Sequence, residues 1–192
     1  QVLAYLKESN GDKERALEMV LDSITGDSTA AFEFIAGNFY AEKGELEKAI
    51  DFYGVAADKF PSFLRAIRNK AIMEVKVERY EDAKKSFLKA VRLGSDDATT
   101  NGLLGLSYLN TGDLDSAEHF YRIAVEQDPS VVDWKIGLAE TLYQQGGKAA
   151  ADAVIADVVE MYRAEGKDQE ADALLENVSS GRAKSRSAPG SN

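Results

Sequence analysis

Apolar side chains recur along this chain at helical spacing, in short blocks cut by glycine or proline. Between residues 99 and 110, Leu103, Leu104, Leu106, Tyr108 and Leu109 predict one helix. Thr111-Gly112-Asp113 then supplies a helix stop and a fresh N-cap. A second helix follows, with Ala117, Phe120, Tyr121 and Ala124 at i, i+3, i+4, i+7 spacing. Pro129 cannot continue that helix and sets the corner into the next block. Gly105, Ala117 and Ala124 are small enough for helix axes to approach, and Tyr108 and Tyr121 fill the space beside them.

The same pair of helices is written several times. Ala49, Ala83, Ala117 and Ala151 lie 34 residues apart, and so do Tyr53, Phe87, Tyr121 and Ile155. Two further columns keep that register: Ala56, Ala90, Ala124, Val158 and Gly37, Ala71, Gly105, Ala139. A fixed period of this length predicts an all-α solenoid, in which each unit buries its apolar face only against its neighbours. The repeats read as about 1–29, 30–63, 64–97, 98–131 and 132–165. The first is one residue short, since Ala16 precedes Ala49 by 33. The third is irregular, with Glu74 at an aromatic position, Glu78 for the turn glycine and Ser95 for the proline. One helix from about 149 to 165 serves both the fifth repeat and a final pair. A capping helix over about 167–178 sets Ala171, Leu174, Leu175 and Val178 against Asp168, Gln169, Asp172 and Glu176. The array is thus expected over 1–178, with 179–192 a flexible, basic, Ser/Gly-rich tail.

The order Gly37, Tyr40, Gly44, Ala49, Tyr53, Ala56, Pro61 returns as Gly105, Tyr108, Gly112, Ala117, Tyr121, Ala124, Pro129. In this it resembles the tetratricopeptide repeat family. The resemblance implies a right-handed superhelical solenoid of antiparallel helix pairs, closed by a C-terminal capping helix, that binds other proteins. It also implies that first helices line a concave groove. On those helices the groove-facing residues are expected to include Phe34, Ile35 and Asn38, then Arg65, Arg68, Asn69 and Ile72, then Leu103 and Leu106, and finally Tyr143. The basic centre would receive a carboxylate or acidic side chain of a protein or peptide partner, with arginine engaging it by two parallel bonds. Phe34, Ile35, Ile72, Leu103 and Leu106 would grip apolar side chains. The plainer reading pairs Arg65 and Arg68 with Glu33, Glu74 or Asp58 to balance local charge. Asn38 and Asn69 match the asparagines of a chaperone-tail clamp in this family. The matching basic places hold Phe34, Thr99 and Leu103, which disfavours that ligand.

Charge narrows the field further. Arg182, Lys184 and Arg186 give the tail +3 without an acid, so a chain of net charge −10 has a body of −13. Such a body is a poor match for nucleic acid. No apolar run approaches the roughly 18 residues of a membrane span, so a soluble chain without a transmembrane segment is expected. With no cysteine and the single histidine His119 expected on an outer surface, neither catalytic residues, metal ligands nor a cofactor are expected. The acid pairs Asp96-Asp97 and Glu81-Asp82 fall at helix starts, where they cap N–H groups. The expected function is an adaptor or scaffold. The alternatives are a homo-oligomer stacking through an uncapped N-terminal edge with Val2, Leu3 and Leu6, and a regulatory segment of a larger multidomain protein. The chain begins at Gln1, as a processed mature chain or as a piece of a longer one. The compartment is then the cytoplasm or, if Gln1 follows a cleaved signal, the periplasm or the exterior.

Overall fold

The computed structural model describes residues 13–24 and 29–179. The N-terminal edge expected at Val2, Leu3 and Leu6, and the tail expected beyond Ser179, lie outside these. Among the described residues the chain is all helical, with ten helices. They are α1 Lys13–Asp22, α2 Ala30–Glu42, α3 Leu46–Lys59, α4 Leu64–Lys76 and α5 Tyr80–Arg92, then α6 Ala98–Asn110, α7 Leu114–Gln127, α8 Val132–Gln144, α9 Lys148–Ala164 and α10 Asp168–Ser179. They fall into two compact units, divided between Ser95 and Asp96.

Local chemistry sets the breaks between helices. The α6–α7 turn closes on Gly112 at φ 83°, a left-handed backbone that glycine adopts without strain. Asp113 then caps α7 by accepting the Ser116 backbone N–H at 3.1 Å. Asp97 does the same for α6, accepting from Thr100 at 3.0 Å. In the third repeat the turn residue is Glu78, which takes φ 61° with a side chain in place.

Within each pair the helices run antiparallel. Tyr40 stacks on Phe52 with ring centroids 5.2 Å apart, while Gly37, further back on α2, faces Tyr53, further forward on α3. The second unit repeats this, with Tyr108 stacked on Phe120 at 5.5 Å and Gly105 against the Tyr121 ring. Tyr53, Phe87 and Tyr121 are all at most 2% exposed, so one large ring per repeat forms the centre of each layer. Within each unit, each second helix also packs on the first helix of the following pair, and α6 touches α8 as well.

The third repeat solves the same packing problem with polar groups. Glu74 and Ser86 stand where Tyr40 and Phe52 stand one repeat earlier. Lys70 donates to Glu74 Oε1 at 2.5 Å and to Ser86 Oγ at 3.3 Å. Glu74 is fully buried, and its Oε2 has no hydrogen-bond partner.

On α10, Ala171 is fully buried but Leu175 is 41% exposed. Leu175 holds the register of Tyr121, which α8 covers, and no helix follows α10 among the described residues to cover it. No described helix is long and apolar enough to cross a membrane.

Candidate functional site

In the first unit, the first helices of two successive repeats, α2 and α4, bring the predicted asparagines together. Asn38 Oδ1 accepts from the Tyr53 hydroxyl at 2.8 Å and faces Asn69 Nδ2 at 3.5 Å. Burial pushes the Tyr53 phenol above its ordinary value, against the opposing pull of its contact with Asn69. The tyrosine of the core thus fixes the orientation of a carboxamide at the surface.

Beside them Arg65 lies over the Phe34 ring, its guanidinium carbon 5.2 Å from the centroid. Glu33 is held by Lys59 at 2.6 Å and Glu74 by Lys70 at 2.5 Å. These are two of the carboxylates that the plainer sequence reading offered to the arginines. Among the described residues no ion pair joins Arg65 to a carboxylate, and the first turn of α4 holds no acid. Arg68, Asn69 and Ile72 follow along α4, and Ile35 lies on α2, all half-buried.

The apolar members of the predicted site are less available. Phe34 is 7% exposed and packs between Tyr53 and Phe63, with centroids at 5.7 and 4.9 Å. In the second unit Leu103 and Leu106 are 4% and 5% exposed, so they serve mainly as packing. Here α6 lies tightly on α8: a Cβ on Gly102 would come within 2.4 Å of the Trp134 ring. Tyr143 is half-buried, and its hydroxyl donates to Asp152, while Lys148 lies 5.9 Å over its ring. Burial, then Asp152, pushes its phenol up to about 12.

Two aromatic residues at this face escaped the repeat pattern. Phe60, 55% exposed, and Phe63 flank the corner proline between α3 and α4, with rings 6.1 Å apart. Two repeats on, the same corner reads Asp128, Pro129, Ser130, Val131. A phenylalanine in the place of that solvated aspartate was the available signal.

His119 is exposed on α7 and meets only the edge of Phe120, at 5.1 Å. Among the described residues no cluster of three or more His, Cys, Asp or Glu side chains has metal-binding geometry.

The tetratricopeptide repeat family model matches residues 69–132 and 103–166, more than half of the chain, and the chain belongs to that family. A TPR repeat-containing protein of Methanocaldococcus jannaschii is 28% identical over 137 residues, which are 67% of this chain and 23% of that protein. The chain therefore spans about a quarter of that relative's length. Among solved structures, MamA from Desulfovibrio magneticus RS-1 superposes with a TM-score of 0.75 at 20% identity, over 85% of this chain and 92% of that one. YrrB, a TPR protein with an unusual peptide-binding site, gives a TM-score of 0.66 at 21% identity, over 86% and 89%. The fold supports a protein–protein interaction module.

Proposed function

We propose that the chain is an adaptor that holds an extended segment of a partner protein along α2 and α4. One observation carries this reading: Asn38 and Asn69, on the first helices of successive repeats, meet at 3.5 Å. Each carboxamide keeps hydrogen-bonding capacity beyond that contact, which suits the regularly spaced N–H and C=O groups of an extended backbone. Arg65 and Arg68 would supply charge for a carboxylate on the segment, and Ile35 and Ile72 an apolar edge. YrrB offers precedent for a peptide site on this kind of fold.

Affinity capture from lysate of the source organism tests the reading, with Asn38→Ala/Asn69→Ala and Arg65→Glu/Arg68→Glu as paired baits. Circular dichroism first establishes equal helicity. Both variants should lose the same one or few proteins, since each charge-assisted or carboxamide contact contributes about 1–3 kcal/mol. If all three baits retain one set of proteins, binding does not occur on this face.

A further inference from the structure

Among the described residues Phe60 is the most exposed of the large apolar side chains, at 55%, and it is not isolated. Its ring lies 6.1 Å from Phe63, Phe63 lies 4.9 Å from Phe34, and Arg65 lies 5.2 Å over Phe34. The ring pairs are tilted at 53° and 40°, an arrangement that a further ring can extend at the Phe60 end. At the other end stands a guanidinium with no ion-paired carboxylate among the described residues.

Resting on the reading of α2 and α4 as the partner face, we propose that the bound segment carries two anchors. One is an aromatic side chain seated on Phe60 and Phe63; the other is an aspartate or glutamate on Arg65. The charge decides between occupants. A wholly apolar segment would cover Phe60 but would desolvate Arg65 without compensation, which a carboxylate avoids. The successive separations bound the path from Phe60 to Arg65 at about 16 Å, which an extended chain spans in about five residues. The aromatic and the acid should therefore lie no more than about five residues apart.

A displayed library of random 12-residue peptides, selected on the whole chain, provides the probe. Selected peptides should carry an aromatic residue within about five positions of Asp or Glu. By fluorescence anisotropy, Phe60→Ala and Arg65→Gln should each weaken the best peptide about tenfold or more, as should replacing its aromatic or its acid. Phe60 is exposed, so Phe60→Ala should keep wild-type helicity. A selection that yields no such pair overturns the proposal, as does undiminished binding to both variants. In that case Asn38→Ala/Asn69→Ala separates the two readings. Loss of peptide there keeps the α2–α4 face and removes only the aromatic anchor; no loss removes both. Concentration-dependent self-association abolished by Phe60→Ala would assign the patch to a second copy, and likewise overturns the proposal.

Discussion

The Tyr121 ring lies so close to Gly137 that a Cβ on the glycine would come within 2.3 Å of the ring's Cζ. Tyr121 is 1% exposed and meets Gly105 of its own repeat on the other side, so it has nowhere to retreat. Gly137→Ala should therefore destabilise the second unit by about 2 kcal/mol, as overpacking outweighs the roughly 1 kcal/mol that alanine gains in helix propensity. Gly54 is the control, because a Cβ there meets only the flexible end of Lys70, at 3.6 Å. Gly54→Ala should be neutral or stabilising. Urea unfolding of the pair checks this, and equal effects at both sites would refute the close-approach argument.

Glu78 adopts φ 61°, where the other repeats place Gly44, Gly112 and Gly146. A side chain in this left-handed region costs roughly 1–2 kcal/mol, and the greater backbone freedom of glycine in the unfolded chain takes back about 0.5–1. Glu78→Gly should thus raise stability by about 0.5–1 kcal/mol, seen as a higher thermal midpoint. A lower midpoint would mean that the Glu78 side chain makes a stabilising contact that outweighs the strain.

These two sites also mark what the sequence could tell. The small-residue and aromatic columns were legible because each repeat buries the same positions, so Gly105, Tyr121 and Glu78 all declare their roles by register. Helix ends were close for the same reason: α6 begins at Ala98 rather than residue 99, and α9 at Lys148 rather than residue 149. The meeting of Asn38 and Asn69 follows from the period: Ile72 holds the place of Asn38 one repeat on, and Asn69 stands one helical turn before it. Burial of Leu103 and Leu106 was not legible, because spacing along one helix says nothing of how tightly its neighbour lies. Nor was the choice of Lys59 for Glu33, which is made across helices 26 residues apart in sequence. Phe60 and Phe63 were overlooked because a search for what repeats passes over what one repeat alone possesses.

The buried ion pair of the third repeat leads to a prediction with two steps. Lys70 is partly exposed but Glu74 is not, so removing the lysine leaves a carboxylate stranded in the core. Lys70→Met should cost about 2–3 kcal/mol, at or below the usual range for breaking a buried pair because water reaches the lysine side. Adding Glu74→Tyr and Ser86→Phe should recover most of that loss by rebuilding the stacked pair seen at Tyr40 and Phe52. Denaturant midpoints of the single and triple variants decide it. A neutral Lys70→Met would show that the pair contributes nothing to stability.

Tyr143 supplies a pH signature for the second unit. Burial, followed by its hydrogen bond to Asp152, pushes the phenol from 10.0 to about 12. The folded-state value is raised, so the protonated tyrosine contributes stability that is fully present below the unfolded value near 10. That contribution is lost as pH rises through about 12, because the unfolded chain gives up the proton first. Stability should accordingly fall across this alkaline window. In Asp152→Ala the folded-state phenol should titrate lower, since the acceptor and its negative charge are gone while the ring stays buried. Tyrosinate absorbance followed against pH, with Tyr143→Phe to identify the transition, measures the shift directly. If Tyr143 titrates identically with and without Asp152, the hydroxyl is not held by that carboxylate, and its freedom to reach a partner must be reconsidered.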